Sequence, residues 1–283
     1  MSVTNFIPTI WSARLLENLR TKLVYAQTGI VNRNYEGEIQ AFGDTVKINN
    51  IGAISVFDYA KGTPMGEPEE LTDAQRTLQI TQSKAFHFYL DDVDRAQINV
   101  ELMNAAMSEA AYSLAKVADA FVSQMYLDAP AANLVGDDTT PVVPTKTDAY
   151  EYLVDLSVKL DEADIPQDGR WVIIPPWYEG LMLKDDRFVK GGTTASDGRL
   201  MNGQIGMAAG FNILKSNTVP NTAGAKYKII AGTSMAYSYA EQINKVEAYR
   251  PEKRFADAVK GLHLYGGKVV RPEAIAVLTA SKS

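Results

Sequence analysis

From Asp94 to Leu127 the chain contains neither proline nor glycine, and its apolar residues return at intervals of three and four. Val100, Met103, Met107, Ala110, Leu114, Val117, Phe121 and Met125 make up that stripe. The spacing predicts an amphipathic helix. At 1.5 Å per residue, about 34 residues would span about 50 Å. Globular helices average about 11–12 residues, so this one reads as a spine on which other elements pack. Asp92 or Asp94 serves as its N-cap, and Pro130 marks its end.

The segments before the spine have a different period. Val46 and Ile48 alternate with Lys47 and Asn49, and the chain then meets a breaker-rich tip, residues 61–70. A return strand follows, with Leu78, Ile80, Phe86, Phe88 and Leu90 on one face. Thr77, Gln79, Thr81, Ser83, His87 and Tyr89 fall on the other. Residues 44–90 therefore read as one long hairpin. Two strands alone are marginal and expose unpaired edges, so the hairpin is expected to lie on another surface. Residues 1–43 read as an arm. Its short amphipathic pattern, Thr9 to Lys22, cannot hold a helix in water without a partner surface, which another subunit would supply.

After the spine the pattern is mixed. Residues 129–146 read as a loop and Thr147–Ala163 as a second amphipathic helix. Trp171–Ile174 is a buried strand stopped by Pro175-Pro176, and Trp177–Lys184 a short helix. Residues 190–198 form a loop by composition. Strands are expected at Phe211–Lys215 and Tyr227–Ala231, and a helix near Met235–Tyr239. Four further strands follow: Lys245–Arg250, Phe255–Tyr265, Lys268–Arg271 and Ala274–Leu278. Gly266-Gly267 reads as a two-residue hairpin turn between two of them. The fold class is α+β, with an α/β block inside it.

Composition narrows the function. The 283 residues carry 28 Lys and Arg against 34 Asp and Glu, a net charge of −6. That balance argues against tight phosphate binding. The absence of cysteine removes disulfides, thiolate metal sites and cysteine nucleophiles. No apolar stretch approaches the roughly 18 residues of a membrane-spanning helix, and no secretory signal is visible.

Motifs for catalysis are poor. His87 and His263 are the two histidines, both in strand patterns without metal-ligand spacing. The acidic pairs Asp91-Asp92, Asp137-Asp138 and Asp185-Asp186 read as a helix start and solvated loops. The Gly203, Gly206 and Gly210 stretch is neither a dinucleotide nor a Walker loop. Gly232-Thr233-Ser234-Met235-Ala236 misses the nucleophile elbow, because Ala stands where the second glycine belongs. Trp11, Trp171 and Trp177 are too scattered for a base-stacking platform and read as packing anchors. No cofactor or metal site is expected.

Charge is distributed unevenly. Residues 91–128 hold seven acids and two bases. Residues 245–271 hold seven bases (Lys245, Arg250, Lys253, Arg254, Lys260, Lys268 and Arg271) and three acids. Two readings stay open. The basic strands lie beside the acidic spine of their own subunit, or they receive the acidic hairpin tip, Glu67, Glu69 and Glu70, of a neighbour. Complementary charge of this kind sets register and specificity.

In this order the elements resemble the major capsid proteins of tailed bacteriophages, with the Hong Kong 97-type fold that encapsulins share. Phe6 to Glu17 looks like the N-terminal arm of one capsid subfamily, and Gly43 to Ile48 like the start of its extended loop. Trp171 to Pro176 and Gly203 to Val219 look like its axial domain. The resemblance implies an arm at 1–43 and an extended loop at 44–90. It implies a peripheral domain from 91–128 with 245–271, and an axial domain from 129–244 with 272–283. It further implies a non-enzymatic subunit, made in the host bacterial cytoplasm and built into the virion. Such a subunit assembles with itself into pentamers and hexamers around double-stranded DNA, without sequence-specific binding and without a membrane. Because the arm starts so close to Met1, either a separate scaffolding protein is used or the chain is a mature product, and the initiator Met favours the first; a portal and decoration proteins are the other partners. Trp11, Arg14, Lys61, Glu67, Glu69, Glu70, Arg250, Lys253 and Arg254 are the expected subunit-contact residues. Lys61 at the tip does not suffice to expect an isopeptide crosslink. The alternatives are an encapsulin-like compartment shell and, more remotely, a soluble hydrolase using Asp with His87 or His263.

Overall fold

The computed structural model describes residues 23–35, 43, 45–51, 73–91, 101–185, 206–253 and 255–282. The strands in chain order are β1 (Thr45–Ile51), β2 (Asp73–Gln79), β3 (Gln82–Asp91), β4 (Leu134–Val135), β5 (Trp171–Ile174) and β6 (Met207–Ala208). Then follow β7 (Phe211–Lys215), β8 (Asn221–Thr222), β9 (Lys226–Gly232), β10 (Tyr237–Tyr249), β11 (Ala256–Val269) and β12 (Ile275–Ser281). Among the described residues the α-helices are α1 (Glu101–Val122), α2 (Ala149–Glu162) and α3 (Pro176–Met182).

The strands make three sheets. β1 and β2 pair antiparallel, from Thr45 opposite Gln79 to Ile51 opposite Asp73. β10, β11 and β3 form an antiparallel sheet with β11 in the middle. The third runs β4-β12-β9-β5-β7-β6, with β8 on β9. Within it β5–β7 and β12–β4 are parallel.

The return strand expected at 77–90 is thus two strands in two sheets. Its alternation holds at both ends, with Leu78 and Ile80 buried, Phe86 and Phe88 half-buried, and Thr77, Gln79, Thr81, His87 and Tyr89 exposed, but lapses between them, where Ser83, Lys84 and Ala85 are all exposed. At Ile80-Thr81, however, the chain leaves β1 and joins β11 instead. Periodicity assigns a face to each residue but names no partner.

The spine helix is described from Glu101 and is α-helical to Val122, 22 residues in all. It then tightens into a 3₁₀ turn, Ser123–Asp128. The Ser123 hydroxyl donates to the Ala120 carbonyl, 2.9 Å away, where the winding changes. The proposed caps Asp92 and Asp94 lie outside the described residues. The buried face is Met107, Ala111, Leu114, Ala115, Ala118 and Val122. Val117, placed on the stripe by spacing, is 42% exposed. Small alanines let the helix approach the sheet closely, and large-residue spacing alone misses them.

The three-stranded sheet presents Phe86, Phe88, Val246, Val259 and Tyr265 to α1, in one core with the helix. This core continues under Trp171, Ile173, Ile230, Ile275 and Val277 of the larger sheet. The other face of that sheet buries Val172, Ile174, Ile229, Ala231, Ala276 and Leu278 against α2 and α3. Four consecutive buried residues in β5 follow from that double cover.

Arg170 anchors the turn from α2 into β5. Its side chain, 1% exposed, donates to the carbonyls of Pro166, Ser157 and Ile165 and to the Asp161 carboxylate. The five donors of a guanidinium suit that crowd of acceptors.

Several expectations are corrected. Gly266-Gly267 is no turn: β11 runs through it, paired with Ala240 and Tyr239. Neither glycine has a positive φ. The requirement is space. A Cβ on Gly266 would lie 2.2 Å from the Gln79 carbonyl oxygen, and one on Gly267 would lie 2.2 Å from the Tyr237 hydroxyl. Lys268 and Val269 accordingly extend the same strand. Residues 237–239 are strand and not helix, because β11 supplies a hydrogen-bonding partner. Within 129–146, Leu134–Val135 pair with β12 and Val142 bridges Ala280, so this segment is not merely loop.

Residues 23–35, read as part of the arm, pack into the core of their own chain. Tyr25, Ala26, Ile30 and Val31 are buried there. The expected helix at 9–22, the hairpin tip at 61–70 and the loop at 190–198 lie outside the described residues. No helix among the described residues is long and apolar enough to cross a membrane.

Candidate assembly surface

The β10–β11–β3 sheet has two faces of different character. On the helix side its residues are mostly apolar, with one buried polar cluster and, on β3, Gln82 and exposed Lys84. The other side is covered at one end by Leu78 and Ile80, which pack with Ala240, Leu264 and Val270. At its other end none of the described residues outside the sheet covers it, and Tyr89, Tyr249, Glu247 and Lys260 are exposed.

Register fixes what the open end carries. Tyr249, Ala258 and Tyr89 lie in one row, and Glu247, Lys260 and His87 in the next. The His87 ring stacks on Tyr249 at 5.8 Å, and its Nε2 sits 2.8 Å from the Tyr249 hydroxyl. Lys260 lies 2.9 Å from Glu247 and 5.3 Å from the Tyr249 ring centroid. The bond to Glu247 holds the Lys260 ammonium above its usual range. The hairpin turn at 250–255 adds Arg250, 3.5 Å from Asp257, exposed Lys253, and Phe255, which is 85% exposed. Aromatic side chains with basic neighbours, held by paired strands, suit a protein contact more than a small-molecule site.

Of the expected contact residues, the structure brings Arg250 and Lys253 together at this turn. Trp11, Arg14, Lys61, Glu67, Glu69, Glu70 and Arg254 lie outside the described residues. Arg250 and Lys260 pair within the β10–β11 hairpin, with Asp257 and Glu247.

The two histidines face opposite sides of the sheet, since His87 is in register with Lys260 and His263 with Lys84. They cannot meet in one site. His263 is buried, with Nε2 3.3 Å from Glu241 Oε2. Among the described residues no three His, Cys, Asp or Glu side chains cluster as metal ligands. Asp137 accepts from the backbone of Thr139 and Thr140, and Asp138 pairs with Lys228 at 2.7 Å. Trp171 is buried, and Trp177 packs edge-to-face on Tyr178 and Tyr227.

Asp185, read as a solvated loop residue, is instead buried at 4% exposure, and sequence reasoning passed over two further buried carboxylates. Asp119, on the inner face of α1, is 3% exposed. Its carboxylate accepts the backbone N–H of Val24 (2.8 Å), Tyr25 (2.9 Å) and Ala26 (3.1 Å). Burial outweighs these three bonds and, with the nearby Glu241 charge, pushes Asp119 up to about 6. Glu241 on β10 pairs with Arg33 and accepts from the Tyr239 hydroxyl at 3.0 Å. Burial would raise Glu241, but His263, Arg33 and Tyr239 together hold it below the usual carboxylate range. One signal was available: Asp119 stands in phase with Ala115 and Val122 on an otherwise apolar helix face.

A sheet laid on a spine helix, a second sheet sandwiched between helices, and an open charged edge define a structural subunit with the α+β capsid fold of Hong Kong 97 type. A family model described as "Phage capsid protein" matches residues 74–278. The chain belongs to that family, and is a structural protein of the bacteriophage shell. Among solved structures, a chain of Mycobacterium phage Che8 is 29% identical, with a TM-score of 0.71, and 90% of each chain is covered. The capsid of Cyanophage P-SCSP1u matches at 15% identity and TM-score 0.68, covering 89% of this chain and 86% of that one. A virus-like particle from Pyrococcus furiosus matches at 14% identity and TM-score 0.58, covering 96% and 99%. No curated protein sequence matches the chain.

Proposed function

We propose that this chain is the major capsid subunit that assembles as pentamers and hexamers into an icosahedral shell around packaged phage double-stranded DNA. The match of the capsid family over residues 74–278 carries this reading. The work of such a subunit is geometric. One chain repeats heterologous contacts with itself until the surface closes. Residues 91–128 with 245–271 act as the peripheral domain, and 129–244 with 272–283 as the axial domain. Sheet membership ties residues 82–91 and 237–244 to the peripheral strands as well. Residues 1–22 and the 44–72 loop are the parts that reach a neighbour.

In this reading the open end of the sheet is a subunit contact. Arg250, Lys253 and Arg254 receive Glu67, Glu69 and Glu70 of an adjacent copy, while Trp11, Arg14 and Lys61 contribute from the arm and tip. The subunit is made in the host cytoplasm, and a separate scaffolding protein and a portal assist. The net charge of −6 suits a container whose wall does not grip its DNA.

A second reading has the likeness to the Pyrococcus furiosus particle behind it: a cellular compartment shell of the same fold around protein cargo. Contents separate the two. Native particles purified after nuclease treatment are expected to release protected double-stranded DNA. Particles holding only protein would overturn the phage reading in favour of the compartment.

A further inference from the structure

Residues 23–35 are held at both ends by carboxylates buried on rigid elements. At one end Asp119 of α1 gathers three consecutive backbone N–H groups, those of Val24, Tyr25 and Ala26. Three donors converging on one anion form a small backbone nest, which compensates a charge that burial would otherwise penalise. At the other end Arg33 pairs with Glu241 of β10, and its guanidinium lies 5.4 Å from the Tyr239 ring centroid. Between the two, Asn32 adds a one-residue bridge to β10: its N–H donates to Tyr237 (2.8 Å), and its carbonyl accepts from Tyr239 (2.9 Å). Leu23, at the root of the segment, is itself buried.

We propose that Asp119 is a positioning residue for assembly. With the Arg33–Glu241 pair, it clamps residues 23–35 as a strap and so fixes the point at which the preceding 22 residues join the fold. The reason lies in the sequence ahead of the strap. Thr9 to Lys22 is amphipathic but too short to be stable in water, so it must find a surface elsewhere. Which surface it reaches depends on where its root is held. A root bonded to the spine gives that segment one origin in every subunit; a loose root gives it many. A buried carboxylate serves where an apolar residue would not, because only an acceptor can satisfy three adjacent N–H groups.

The inference rests on the capsid reading for its consequence, but the clamp can be tested apart from it. Trypsin cleavage after Arg33 reports release of the strap, and cleavage after buried Lys228 reports general unfolding. In Asp119→Ala, cleavage after Arg33 is expected to quicken about tenfold or more, by local opening. Asp119→Asn keeps one acceptor oxygen and should fall between it and the wild type. Glu241→Gln should act in the same direction from the other end. Cleavage after Lys228 should stay at the wild-type rate. Should the Ala variant not fold, the Asn and Gln variants carry the test. Unchanged cleavage after Arg33, or a rise matched at Lys228, would overturn the clamp. In assembly, the variants with a released strap should lose shells to free subunits where the wild type forms them. Normal shells from such a variant would overturn the positioning role. If the wild type forms no shells, the capsid reading fails while the cleavage result still judges the clamp.

Discussion

Replacing Gly266 with alanine should unseat the junction between the β1–β2 pair and the peripheral sheet. The new Cβ would sit 2.2 Å from the Gln79 carbonyl oxygen and 2.9 Å from Ile80 Cα. Both obstacles are backbone, so no rotamer change relieves them, and the strand end must move by about 1 Å to restore van der Waals contact. Overpacking of this kind costs about 1–3 kcal/mol. The displaced segment also carries Leu78 and Ile80, both buried against Ala240 and Leu264. Full burial of each is worth about 1.5–3 kcal/mol, and a shift forfeits part of it. A total near 3 kcal/mol lowers the melting temperature by about 6–10 °C. Calorimetry of unassembled subunits, at one protein concentration, measures it. Gly180→Ala is the control: it lies in α3 with nothing within 4 Å of an added Cβ. It should stabilise by about 0.5–1 kcal/mol through helix propensity. If Gly266→Ala melts within a degree of the wild type, the close approach of β2 to β11 is wrong.

Three further outcomes are expected. Asp119 titrates near 6 in the fold and near 3.8 unfolded, so the native state binds the extra proton and acid favours it. Between pH 7 and pH 5 the wild type should gain about 1 kcal/mol over Asp119→Asn, read from paired denaturant titrations; Glu241, held low, acts only below that window. Arg170→Met strips buried carbonyls and Asp161 of their shared donor and should cost about 3 kcal/mol, as a lower urea midpoint at unchanged slope. Reversing Glu69 and Glu70 to Lys should weaken assembly, most at low salt where screening is least, with Arg254→Glu restoring it; light scattering at two ionic strengths would contradict the pairing if the reversed protein assembles normally at low salt.

How much of this was legible in the sequence depended on the kind of information each feature carries. Phase was legible: Leu78, Ile80, Phe86 and Phe88 fall on covered positions as their alternation implies, and Leu153, Leu156 and Leu160 of α2 are buried. Pairing was not, because the same alternation serves two sheets, and only tertiary contact moves β3 onto β11. Gly266-Gly267 fits a turn or a close approach equally well, and the neighbours that decide, Gln79 and Ile80 for Gly266 and Tyr237 for Gly267, are far away in the chain. Of the proposed contact residues, Arg250 and Lys253 were singled out by local charge density alone. The buried cluster of Arg33, Asp119, Glu241 and His263 joins four separated segments. No local pattern links them, although Asp119 on an apolar stripe marked one member.

The central claim is that identical chains of this fold close into a shell. Cryo-electron microscopy of particles formed by the full chain, with scaffolding protein supplied, tests it most directly. The account predicts closed icosahedral shells of five- and six-membered rings, with Arg250 and Lys253 at a boundary between subunits. A small, closed oligomer under every assembly condition, with that turn facing solvent, would contradict it.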